Sequence, residues 1–189
     1  MTRNLHKIID QLSLEDAQAI LKSLAAGNRQ LADKIVEMAL TRLNQVDPEE
    51  IASTLYADLE SLAVEEVWDR AGATRHGYVE TSEAAYQMID EVFDPLLEKL
   101  QKYQKLGLSK PATQMCMGLL KAFYLFERES KSAFKDEATD APGEYARAIV
   151  KTWQEGLPGE ADKADLKQFI TDEFDGWWTR LLKDAGGGL

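Results

Sequence analysis

Apolar residues recur three and four positions apart along most of the chain, and no strand-length run alternates apolar with polar. That period belongs to helices with one buried face, so the pattern predicts an all-α fold. The densest stretch, Pro111 to Phe126 (PATQMCMGLLKAFYLF), is apolar around nearly its whole circumference and is interrupted only by Gln114 and Lys121. A helix apolar on every side is a buried helix, which makes this segment the expected centre of the fold. It is too short and too interrupted to cross a bilayer.

Before this segment the pattern predicts a series of shorter helices. Residues 4–12 read as an opening helix with Leu5, Ile8, Ile9 and Leu12 on one side. Ser13 is expected to cap the next helix, with Asp16 reaching back to complete a short capping box. Ala17, Ile20, Leu21 and Leu24 follow at helical spacing, and Gly27 is expected to end that helix in the left-handed conformation. Asn28 caps a third helix, striped by Leu31, Ile35, Met38, Ala39 and Leu43. Asp47-Pro48-Glu49-Glu50 is the clearest helix start: a capping carboxylate, a proline at the first helical position and two acids at the positive end of the dipole. The stripe behind it runs from Ile51 through Leu62 to Trp68, with a bend expected near Ala63. Residues 70–80 (RAGATRHGYVE) hold two glycines and no stripe, and read as a loop.

Thr81 or Ser82 then starts a long helix whose stripe stays in phase past Pro95, so the proline is expected to kink it rather than break it. Gly107 ends it, and Ser109 is expected to cap the central helix. Phe134 should anchor a polar segment. Pro142 opens a helix with Tyr145, Ile149 and Trp153 inward, and a last helix carries Leu166, Ile170, Trp178 and Leu182 as one element. This makes about seven or eight helices. The antiparallel groups 13–46, 48–71, 82–130 and 142–184 would form a short HEAT- or TPR-like array or an irregular helical bundle. A single domain over 1–185 is expected, with 186–189 as a flexible tail.

Charge changes the functional picture. The 189 residues carry a net charge of −11, which repels nucleic acid unless a local basic patch overrides it. Such a patch is conceivable: Lys99 to Lys131 holds seven basic residues against two acidic ones, whereas 136–175 holds eleven acids against four bases. An acidic helical protein can also imitate nucleic acid and occupy a basic groove. Cys116 is the only cysteine, so the chain can form no intramolecular disulfide and no cysteine-based zinc site. The start, MTRNLHKIIDQLS, lacks an apolar leader and a cleavage site, and no run is apolar enough to cross a membrane. A cytoplasmic protein without membrane contact is expected.

No catalytic constellation stands out. His6 and His76 lie in different elements, and no phosphate loop, GxSxG elbow or HExxH occurs. The Glu-x-x-His pairs of a di-metal helical bundle are missing too. The chain is therefore read as a non-enzyme without cofactor or metal. The best candidate binding residues are Arg70, Arg75, His76 and Tyr78, beside the helix start at Thr81. Two guanidinium groups, an imidazole and a phenol near free helix amides suit a carboxylate or phosphate. The alternative is a connector whose arginines pair with Glu65, Glu66 or Glu80. Lys99, Lys102 and Lys105 lie near one face of the long helix. They are expected to pair with the acidic helices of the chain or to dock an acidic partner or a nucleic-acid backbone. Trp177 and Trp178 point about 100° apart on a helix, so both reach the core only if their helix lies in a groove. Otherwise one is a partner anchor.

The opening pair LSLEDAQAILKSLAAGNRQLADKIVEMAL and the later YARAIVKTW resemble helical repeat regions found beside SWIM zinc fingers in some prokaryotic proteins. The single cysteine departs from those proteins, since no zinc finger can be built here. The resemblance implies a helical interaction region and carries over no site residue. The expected function is a non-enzymatic adaptor or scaffold that binds a protein partner through a groove between helix pairs. The alternative is an accessory subunit of a nucleic-acid-processing complex, acting through the basic 99–131 region or through acidic mimicry.

Overall fold

The computed structural model describes residues 2–75 and 77–185. Among these the fold is all-α apart from one small hairpin. The chain divides into two compact units, Met1–Gln45 and Val46–Leu189. The tail expected at 186–189 lies outside the described residues.

The first unit holds α1 (Thr2–Ile9), α2 (Leu14–Gly27) and α3 (Arg29–Leu43). Ser13 caps α2 by accepting the Asp16 amide at 3.1 Å. The Asp16 carboxylate takes the Ser13 hydroxyl at 2.6 Å instead of reaching the backbone, which corrects the expected capping box. Gly27 is not left-handed. It stays in the helix, and the chain turns at Asn28, which has extended backbone. The Asn28 side chain then caps α3 through the Leu31 amide, at 3.2 Å. One residue thus closes one helix and opens the next, leaving no position for a glycine turn. α2 and α3 lie against each other, but neither carries a buried residue.

The second unit is built around α7 (Ser109–Glu129), which has eleven buried residues, more than any other helix. Packed on it are α4 (Pro48–Glu60), α6 (Thr81–Lys105), α8 (Ala141–Glu155) and α9 (Glu160–Glu173). Four helices around a fifth make this unit an irregular bundle. α5 (Val64–Arg70) and the 3-10 helix Ala133–Ala138 lie against α6, and α10 (Gly176–Ala185) lies against α8 and α9. Asp47 opens α4 as its sequence predicts, accepting the Glu49 amide at 2.9 Å. The closest approach to α7 is at Gly118. A Cβ there would stand 2.7 Å from the Pro48 carbonyl oxygen and 2.7 Å from Ile51 Cβ. Only glycine lets the first turn of α4 come this near.

The core of this unit is aromatic. The Tyr145 ring stacks on Phe123, and Phe93 meets both rings edge-on, at centroid separations of 5.0 to 5.5 Å. Trp153 donates its indole N–H to Thr113 Oγ1 at 3.0 Å, and Thr113 in turn donates to the Ser109 carbonyl at 3.0 Å. Phe134, within the 3-10 helix, is fully buried, the anchor expected of it. α6 continues through Pro95 as a single 25-residue helix.

Four further expectations need correction. The 70–80 segment is not an open loop. It contains an antiparallel hairpin, β1 (Gly72–Thr74) and β2 (Gly77–Val79), with Ala73 opposite Tyr78. Three-residue strands are too short to show a period of two. The bend near Ala63 is a full break between α4 and α5. The last helix is two helices: Phe174 is extended and Gly176 adopts φ +56°, which turns the chain between α9 and α10. Apolar spacing stayed in phase across this break and hid it. Ser109 lies inside α7 and does not cap it; Leu108 holds the cap position without a side-chain bond.

Candidate functional site

The residues singled out from the sequence do not converge. Arg70, at the end of α5, is engaged within the fold. Its guanidinium donates to both oxygens of Glu91 on α6, at 2.5 and 3.0 Å, and to Glu66 at 2.7 Å. Hydrogen bonds to Glu91 and then Glu66 raise the arginine pKa further, and the same contact lowers that of Glu91. The staple partner is thus Glu91, which lies across the hairpin from Arg70 in sequence. Arg75 is exposed at the hairpin turn, Tyr78 is 68% exposed on β2, and His76 lies outside the described residues. Lys99, Lys102 and Lys105 are exposed on α6. Among the described residues none of the three forms an ion pair with the acidic helices. The tryptophan pair divides: Trp178 is buried and donates to the Glu127 carboxylate, whereas Trp177 is 42% exposed.

A groove between α7 and α9 brings together residues that sequence reasoning passed over. It measures about 360 Å³, and the Pro48 end of α4 closes one side. One face of α7 supplies Lys110, Thr113, Gln114 and Met117, spaced i, i+3, i+4 and i+7. From α9 come Asp162, Asp165, Phe169 and Asp172, again at helical spacing. Met117 and Phe169 are half-buried and give the groove an apolar floor, while Asp165 and Asp172 are exposed along its wall. With Glu173 at one end, four carboxylates face a single lysine.

Two of these groups are occupied locally. Asp162 caps α9 by accepting the Gly159 amide at 3.2 Å, and Asp172 accepts from Gln168 at 2.8 Å. Lys121 crosses below, bridging Glu49 on α4 and Glu173 on α9 at 2.7 Å each. Burial lowers its pKa, but the two carboxylates outweigh that and leave it raised. Gln114 contributes the one orphan: its Oε1 is buried with no hydrogen-bond partner among the described residues. The sequence held a signal for this site in the aspartates at 162, 165 and 172, which recur at helical spacing alongside Phe169. Without α7 beside them they have the pattern of a solvated face.

Other polar clusters close on themselves. The Tyr145 hydroxyl donates to Asp90 at 2.5 Å. Burial, and then this bond, raises its pKa. Tyr86 beside it is pushed up to about 12, by burial and then by Glu144. Cys116 is fully buried, and burial alone raises its thiol pKa, so it behaves as an apolar group and not as a nucleophile. Among the described residues no group of three His, Cys, Asp or Glu side chains is placed to hold a metal ion. No described helix is long and apolar enough to cross a membrane. Comparison with protein-family models, curated proteins and solved structures gives no match.

Proposed function

We propose that this chain is a non-enzymatic adaptor that holds a basic segment of a partner protein in the α7–α9 groove. The observation that carries this reading is the pairing of an acidic wall with an apolar floor along one groove. The carboxylates of Asp165 and Asp172 complement a lysine or arginine head group, and Met117 and Phe169 receive its apolar stem. An amphipathic helix laid in a groove, with anchors three and four residues apart, suits these dimensions.

A displayed library of helical peptides tests the reading. Enriched sequences should carry lysine or arginine next to an apolar anchor, and Asp165→Lys or Phe169→Ala should abolish their retention. Enrichment of acidic or uncharged peptides, or retention that survives both substitutions, would sink it. A second reading rests on the unpaired Lys99, Lys102 and Lys105: docking of the chain to a nucleic-acid backbone as an accessory subunit. Binding to a DNA or RNA duplex that falls steeply with salt and is lost on replacing the three lysines would favour it.

A further inference from the structure

The α7–α9 groove has a direction. α9 begins beside the start of α7, where Ser109 lines a small cavity with Gly156, Leu157 and Pro158. It ends farther along α7, where Glu173 meets Lys121 and the Phe174 ring lies against Tyr124. The two walls are therefore parallel, and both present their partly positive N-terminal ends at the same end of the groove. From Asp162 to Glu173 the α9 wall runs for about 16 Å, some three turns of helix.

Side-chain charge deepens this polarity instead of cancelling it. α7 starts with Lys110 and no acid in its first turn, and Leu108 supplies no side-chain cap. α9 ends with Asp172 and Glu173 and no base in its last turn. Both are the reverse of what a helix dipole favours. Asp162 accepts from the Gly159 amide, and so offsets the start of α9 itself. At the other end Lys121 is shared between Glu49 and Glu173, which with Asp172 leaves three carboxylates against one ammonium. α4 also begins there, but Asp47, Glu49 and Glu50 already stand at its positive end. The groove thus runs from Lys110 and the uncapped start of α7 to an anionic end at Asp172 and Glu173, with Asp165 and Phe169 between them.

We infer, resting on the groove as a site for a basic helix, that the partner helix lies antiparallel to α7 and α9 and is selected by the order of its charges. Its first turn, with lysine or arginine added to its own positive dipole end, meets Asp172, Glu173 and Glu49. Its apolar anchors lie on Met117 and Phe169. Its last turn, with its partly negative carbonyl end, meets Lys110. Lys110 is the specificity-determining residue, because it repels a basic last turn and so rejects the opposite direction.

Two peptides of one composition test this. One is a helix of about four turns with lysines in its first turn and glutamates in its last; the other has those two turns exchanged. Both keep the same central apolar anchors and the same side-chain cross-link, so that their helicity is equal. By calorimetry the lysine-first peptide should bind the full chain about tenfold more tightly, and the difference should shrink as salt is raised. A nitroxide on its first residue should broaden the amides of 117–121 and 170–173, and one on its last residue those of 109–113 and 160–164. Lys110→Glu with Asp172→Lys, both at exposed positions, should reverse the preference. All four tryptophans lie beyond residue 45, so an unchanged near-ultraviolet tryptophan spectrum shows that the second unit of this variant is folded. Equal affinity for the two orders, tighter binding of the lysine-last peptide, or broadening at the opposite ends would overturn the inference and leave the groove standing as a site for basic helices. Failure of both peptides to bind would overturn it together with that site.

Discussion

In the 46–189 unit a single helix, α7, carries eleven buried residues; in the 1–45 unit α2 and α3 carry none. Both regions are well-patterned helices, and each has capped helix starts, at Ser13 and Asn28 in one and at Asp47 in the other. What separates them is whether the apolar faces meet anything. α7 is surrounded by α4, α6, α8 and α9, so its side chains gain the full transfer free energy of burial. Within their own unit α2 and α3 lie against each other, and neither carries a buried residue. Periodicity predicts that a face seeks cover; it does not say whether the cover comes from the same chain.

The sharpest way to break this contrast is to truncate a large apolar side chain on each side. Phe123 is fully buried and stacks on Tyr145, so Phe123→Ala should cost about 3–5 kcal/mol. Leu21→Ala, on a half-exposed position of α2, should leave the unfolding of the second unit unchanged. Urea denaturation followed by tryptophan emission reports that unit alone, and equal shifts for the two variants would erase the distinction.

Smaller substitutions probe how the α7 unit is held. Gly118→Ala would drive a methyl group into the Pro48 carbonyl and Ile51 Cβ, neither of which is the far end of a flexible side chain. Overpacking of this kind costs about 1–3 kcal/mol, and a neutral result would mean that α4 can slide off α7. Tyr145→Phe removes only a hydroxyl. Half-buried Asp90 can turn toward water, so the loss should be about 1 kcal/mol, the net value of an ordinary hydrogen bond. The pH dependence is the sharper readout. Tyr145 has a raised pKa when folded, so its contribution is intact below its ordinary value of 10.0 and is lost as pH rises beyond that. The variant should resist alkaline unfolding better, relative to its own stability at neutral pH.

The sequence disclosed the fold class, the central helix, the Asp47 cap and the Phe134 anchor, because each depends on local pattern or on extreme apolarity. It hid the α9–α10 break, since Phe174 and Trp178 keep helical spacing on both sides of Gly176. It hid the hairpin, since Gly72–Thr74 and Gly77–Val79 are too short to alternate. The α7–α9 groove was hidden for a different reason. Asp162, Asp165 and Asp172 look like any solvated face until α7 is placed beside them, and that placement depends on contacts distant in sequence.

The smallest loss within the second unit is expected at Arg70, and it separates a surface tie from a core contact. The Arg70 side chain is 30% exposed and its partners Glu66 and Glu91 are more exposed still, so solvent screens the pair and Arg70→Ala should shift the unfolding midpoint less than the substitutions at Phe123, Gly118 or Tyr145. Its signature lies in acid. The Arg70 guanidinium holds Glu91 below its ordinary value of 4.5. A carboxylate lowered in the folded state favours folding above its unfolded value, and this contribution fades as pH falls through the lowered one. The small stability gap between wild type and Arg70→Ala should therefore be present at neutral pH and close in strong acid. In the variant the Glu91 carboxyl, followed by NMR, should titrate nearer 4.5. A gap of the same size at neutral and strongly acidic pH would mean that Arg70 acts through the packing of its stem over α5 and not through its charge.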